Sequence, residues 1–222
     1  MTRLPSSITT VMSAALFITS LSAVPAGAAQ RSETDGIKET ANFVKAGGET
    51  SSAVAEAKLR VQNTLTAYNT LVTQPSKDMK GDYKKLLNAV KDMNESLADA
   101  RQRVTAMEAM GTTYFAGRAA SIKNIQDEQL RAQAQQRLDD SQKRYANVLT
   151  SLREAGQSLE PVRKDLGDQI TYLGSDLSPS GTASLKAQAE KLNQRAGESF
   201  SRADQAIATA NGYFNALKPA ES

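Results

Sequence analysis

From Met79 to Tyr114, alternating steps of three and four residues land on Met79, Tyr83, Leu86, Val90, Met93, Leu97, Ala100, Val104, Met107, Gly111 and Tyr114, with no charged residue and no break in phase. An apolar a/d seam kept over five heptads predicts a long helix that buries one narrow stripe against other helices. Upstream, Val54, Val61, Leu65, Tyr68 and Val72 return at the same spacing. They predict a first helix from about Ser51 to Val72, closed before Pro75, which disfavours helical geometry at Gln74. The approach to this helix reads as interrupted. Residues 30–42 are polar and expected to fray, and Gly47-Gly48 costs about 2 kcal/mol of helix relative to alanine. Thr50, Ser51 or Ser52 can cap a fresh start.

Ser76 is the expected N-cap of the second helix, with Asp78 in its first turn where the helix dipole favours an anion. The hairpin tip is expected at residues 121–127, with Asn124 capping the next helix and Asp127 and Glu128 in its first turn. The third helix is marked by Tyr145, Val148, Leu152, Ala155, Leu159, Val162 and Leu166, then, after one four-residue skip, by Ile170, Leu173 and Leu177. Pro161 falls inside this run and removes the hydrogen bond to the Gln157 carbonyl, so the helix should bend or divide there. Ser178-Pro179-Ser180-Gly181 turns the chain, and Ser180 or Thr182 is the expected cap of the fourth helix.

In that last helix Ala189, Ala196, Ala203 and Ala210 recur every seven residues beside Leu185, Leu192, Phe200, Ile207 and Phe214. Alanine in each heptad implies close approach of two backbones rather than a ligand groove. At 1.5 Å per residue, helices of about 50 residues reach roughly 75 Å, and short loops force neighbours to run antiparallel. The predicted fold is all-α: an elongated antiparallel, up-down helical bundle or coiled coil of about four long helices.

Composition adds a compartment. Arg3, the short apolar run from Val11 to Val24 and the small residues Pro25-Ala26-Gly27-Ala28-Ala29 read as a secretory signal over residues 1–29, cleaved near Ala28 or Ala29. The remainder, residues 30–222, reads as a single elongated domain, and the expected location is the periplasm. Only 5% of the residues are aromatic, so the core is expected to be built from alanine and leucine. The chain has no Cys, which leaves neither a lipoprotein cysteine nor a disulfide. Its formal charge is only +3, Arg3 included, too small to indicate a nucleic-acid partner.

The residue inventory also narrows the chemistry. Without His or Cys, the ordinary zinc, haem and copper sites and the Cys- and His-based nucleophile systems cannot be assembled. No Walker loop or GxGxxG occurs. Carboxylate pairs such as Asp139-Asp140, or Asp165 with Asp168, read as solvated helix face rather than metal ligands. The expectation is therefore no enzyme, no catalytic residue, no metal, no cofactor and no small-molecule substrate. One charge cluster stands out: Lys77, Lys80, Lys84, Lys85 and Lys91 at the start of the second helix form a basic stripe that could face lipid or a protein partner. The competing expectation is register pairing across the hairpin, Lys84 and Lys85 opposite Asp165 and Asp168 and Lys91 opposite Glu160.

Ala67-Tyr68-Asn69-Thr70-Leu71, Arg103-Val104 with Met107-Glu108, and Leu159-Glu160-Pro161-Val162 through Leu166-Gly167-Asp168 to Leu173 carry a family likeness. In these stretches the chain resembles an uncharacterised family of exported bacterial helical proteins, the domain of unknown function DUF2959. In that family the first helix looks continuous where Gly47-Gly48 stands here, and Leu-Asn would be expected in place of Ser178-Pro179. The resemblance implies an all-helical fold and a periplasmic location, and no activity.

The leading functional expectation is a non-enzymatic structural or interaction scaffold of the bacterial periplasm or envelope, acting on a protein partner or by self-association. Two alternatives stand beside it: a membrane-peripheral, curvature-type bundle that binds anionic lipid, and a periplasmic holdase chaperone.

Overall fold

The computed structural model describes residues 26–218, with side chains from Asp35 onward. The expected signal segment lies largely outside the described residues. The fold is all-α: among the described residues there are five helices and no strand, α1 (Ala26–Thr73), α2 (Met79–Lys123), α3 (Glu128–Ser175), the six-residue α4 (Pro179–Ser184) and α5 (Lys186–Leu217). Four are long, and α4 is an addition to the expected set.

The heptad seam of α2 faces inward as its spacing predicts. Leu86, Met93, Leu97, Ala100, Val104, Met107, Gly111 and Tyr114 are buried, while Met79, Tyr83 and Val90 are half-buried. α1 packs most extensively on α2, α5 covers α1 and α3, and the seam between α2 and α3 is the least extensive of these four contacts. Cross-helix bonds join the elements. Thr64 donates to the Ala89 carbonyl and Thr50 to that of Arg103, between α1 and α2. Tyr83 donates to the Ile170 carbonyl and Tyr145 to that of Met107, between α2 and α3.

The helix starts differ from the expected ones by a residue or two, for local reasons. α2 is capped by Asp78, whose carboxylate accepts from the Gly81 N–H at 2.9 Å; Ser76 instead accepts from the Asp78 N–H. α3 is capped by Asp127, while Asn124 closes α2, placing the tip at residues 124–127. Ser178 caps α4 with Pro179 at its first position, where proline's missing N–H has no helical partner to lose. α5 then starts after Leu185 without a side-chain cap.

The largest departure is α1, which runs unbroken through Gly47-Gly48. Gly47 lies against the Phe214 ring: a Cβ built there would come within 2.3 Å of it, whereas one at Gly48 would meet nothing within 4 Å. The first glycine is thus a packing residue rather than a helix stop. Phe43, between the stretch expected to fray and the two glycines, is fully buried and stacked on Tyr114 at 4.5 Å between ring centres. Thr50 and Ser51 are buried within the helix, and Thr50 donates to the Ala46 carbonyl instead of capping.

Pro161 does not divide α3. It is exposed, while Leu159 and Val162 on either side of it are buried and hold the adjoining turns. The Ser199 hydroxyl of α5 donates to the Ser158 carbonyl at 2.8 Å and ties α5 to the turn just before the proline.

Candidate functional site

All five lysines of the basic stripe are exposed. Lys77 stands in the turn before α2 begins, so the helical part of the stripe starts at Lys80. Lys80, Lys84 and Lys91 share one outward arc with Leu87, which is 43% exposed, on the side away from the Leu86–Met93 seam. The register pairs across the hairpin do not form. Lys85 bonds Asp82 at 3.0 Å and Lys91 approaches Glu95 at 3.8 Å, both within α2. Asp165 is taken by Arg195 of α5, and Glu160 by Arg101 and Arg163. At Glu160 and Asp165 arginine, with its longer reach and forked donors, takes the inter-helix positions and leaves the lysines of the stripe facing outward. Among the described residues no carboxylate lies within ion-pair distance of Lys77, Lys80 or Lys84. The Ser76 hydroxyl, followed by Lys85, holds the Asp82 carboxyl below its ordinary value.

A second region was not expected. Two apolar clusters fill the helix layers. One centres on Tyr68, Leu71, Leu86, Leu166 and Leu173, and the other on Phe43, Met107, Tyr114, Tyr145 and Phe214. Where they meet, each long helix contributes an alanine, Ala57, Ala100, Ala155 and Ala203, and the four line a cavity of about 390 Å³. Val54, Leu97, Val104, Leu152 and Leu159 complete the apolar wall. Its polar lining is Arg101, Thr105, Arg153, Gln157 and Glu160, on α2 and α3, so the mouth lies in the least extensive helix seam. A Cβ added at Gly156 would meet nothing within 4 Å, which marks open space at that rim.

The alanine heptads therefore do two things. At Ala196, Ala203 and Ala210 they are buried in packed layers as expected, and Ala203 also backs the wall of the groove. A dry, sealed void of 390 Å³ would cost about 9 kcal/mol at ~24 cal/mol per Å³, comparable with the whole stability of a domain. The opening between α2 and α3 relieves that cost by admitting solvent or a ligand. The alanines were legible in the chain, but their shared level was not, because it depends on the register of four helices.

The buried hydroxyls serve packing. Burial pushes the Tyr68 phenol up to about 12, and its hydroxyl bonds Gln169. Burial likewise raises Tyr145, which donates to the Met107 carbonyl at 2.6 Å. Burial pushes Tyr213 up to about 12 against the opposing effect of its 3.0 Å bond with Ser141. Tyr68 and Tyr145, held in the protonated state, act as donors between helices, and in the Tyr213–Ser141 bond either oxygen can donate. Among the described residues no group of three or more acidic side chains gathers at metal-binding distance, and no helix is long and apolar enough to cross a membrane.

Residues 30–217 match the family described as "Protein of unknown function (DUF2959)". No curated protein and no solved structure matches the chain. With almost the whole helical region covered, the chain belongs to the DUF2959 family of proteins of unknown function.

Proposed function

We propose that this chain is a non-enzymatic scaffold of the bacterial periplasm or envelope: an elongated, antiparallel, up-down bundle that acts through its outer face on a protein partner or on a second copy. The observation that carries this is the outward arc of Lys80, Lys84, Leu87 and Lys91, in which a cationic face with an apolar residue at its centre is presented by a helix whose inner seam buries Leu86, Met93 and Leu97. The bonding of buried Tyr68, Tyr145, Thr64 and Ser199 to neighbouring helices also supports it, since these hydroxyls are engaged in joining elements. Export is supported by the pattern of residues 1–29, directly after which the family match begins.

The test is cross-linked pull-down from envelope extracts with the natural chain and with Lys80→Glu/Lys84→Glu. The proposal expects a reproducible partner, or self-capture, that the double change abolishes. An empty pull-down, or one indifferent to the change, counts against it.

The same arc favours one second reading, a membrane-peripheral bundle on anionic lipid. A lysine close to such a surface contributes about 1 kcal/mol, and Leu87 can enter the interface. Flotation with anionic liposomes at low and high salt tests it. Salt-sensitive binding lost in Lys84→Glu/Lys91→Glu supports the lipid reading, and absence of binding removes it.

A further inference from the structure

We infer that the alanine-lined cavity at the meeting of the two apolar clusters is a binding site for a single-chain fatty acid, with the tail between the helices and the carboxylate at Arg101 and Arg153. This does not rest on the scaffold proposal, which concerns an earlier stretch of α2, from Lys80 to Lys91. Four observations converge. The wall is built from Val54, Leu97, Val104, Leu152, Leu159 and the four alanines, so only an apolar body is matched to it. At about 390 Å³ it falls within the range of small-molecule pockets.

The polar groups all lie on the α2 and α3 side, which gives the pocket a deep apolar end and a polar mouth, the polarity of an amphiphile. With their ion-pair partners counted, Arg101, Arg153 and Arg163 stand against Glu108 and Glu160, an excess of one positive charge that favours an anionic head. Both arginines are already paired, Arg101 with Glu160 and Arg153 with Glu108, at exposed positions. A guanidinium has five N–H donors, so each can turn part of its fork to an incoming carboxylate without giving up its present partner. Entry needs no unpacking of the tight α1–α2 face: α2 and α3 make the least extensive seam, and Gly156 leaves its rim open.

The experiment is titration of the full chain, stripped of lipid, with myristate, followed by calorimetry and by displacement of a fluorescent fatty acid. Saturable binding of one myristate per chain is expected. Ala100→Leu, which fills the cavity, should weaken it at least tenfold while the thermal midpoint stays equal or rises. Arg101→Glu/Arg153→Glu, at exposed positions that leave the core intact, should also weaken myristate at least tenfold while leaving 1-tetradecanol unchanged. No saturable binding by the natural chain overturns the inference, as does binding indifferent to Ala100→Leu. Equal loss of the acid and the alcohol in the arginine variant overturns the assignment of the headgroup.

Discussion

The adjacent glycines of α1 provide a sharp internal comparison, because the two sites share a helix and differ in what surrounds them. Gly47→Ala and Gly48→Ala each remove the same backbone freedom and gain about 1 kcal/mol of helix propensity. At Gly48 nothing lies within 4 Å of the new methyl, so the gain stands. At Gly47 the methyl would lie 2.3–2.4 Å from three atoms of the Phe214 ring, including the Cγ at its root. Phe214 is only 3% exposed and is hemmed in by Phe43 and Tyr213 at 5.2 and 5.1 Å between ring centres, so it has no free rotamer to retreat into.

Overpacking of this kind costs about 1–3 kcal/mol. The common propensity gain cancels between the two variants, leaving Gly47→Ala about 2 kcal/mol below Gly48→Ala. For a domain of this size that is a gap of about 4–8 °C in midpoint. Paired thermal melts by circular dichroism, with urea unfolding as a check, measure it directly. Equal stabilisation by both changes would refute the packing role of Gly47, and equal destabilisation would restore the view that both glycines interrupt the helix.

Two further outcomes follow from buried polar groups. Ser51 is 4% exposed and its hydroxyl has no hydrogen-bond partner, so Ser51→Ala should raise stability by about 1 kcal/mol in urea titration; a loss of that size would mean the hydroxyl is bonded after all. Tyr68 and Tyr213 have phenols raised by burial from 10.0 to about 12, so the unfolded chain releases these protons first. Their contribution is fully present below pH 10 and is lost as pH rises from 10 towards 12. Melts between pH 9 and 11.5 should show a falling midpoint, shallower in Tyr68→Phe, and a Tyr68→Phe profile identical to that of the natural chain would contradict this origin.

The seam of α2 was legible because eleven positions in unbroken three-and-four phase leave one helical solution, and its burial follows that phase from Leu86 to Tyr114. The helix caps were legible only to within a residue or two. Ser76, Asp78 and Asp82 all carry suitable oxygens, and the choice among them is made by which N–H the turn presents. Gly47 was misread because propensity counts only the local cost, whereas the close approach of Phe214, 167 positions further on, gives that glycine its value. The basic stripe was legible as a surface, but its ion pairs were not: arginines of α2 and α5 reach Glu160 and Asp165 of α3, two of the acids that an opposed-lysine scheme assigned to Lys84, Lys85 and Lys91. Least visible was the cavity, for which no single helix carries a signal beyond a small residue in its heptad.

The claim beneath these inferences is that oily side chains at three-and-four spacing hold long helices side by side, giving a rod. Small-angle X-ray scattering of the chain without its first 29 residues tests this most directly. Helices of 48 residues are about 72 Å long at 1.5 Å per residue, and a rod of that length and bundle thickness has a radius of gyration of about 22 Å. A compact domain of the same length would have about 16 Å. A monomer near 22 Å with a maximum dimension above about 70 Å is the predicted result, and a monomer near 16 Å would contradict it.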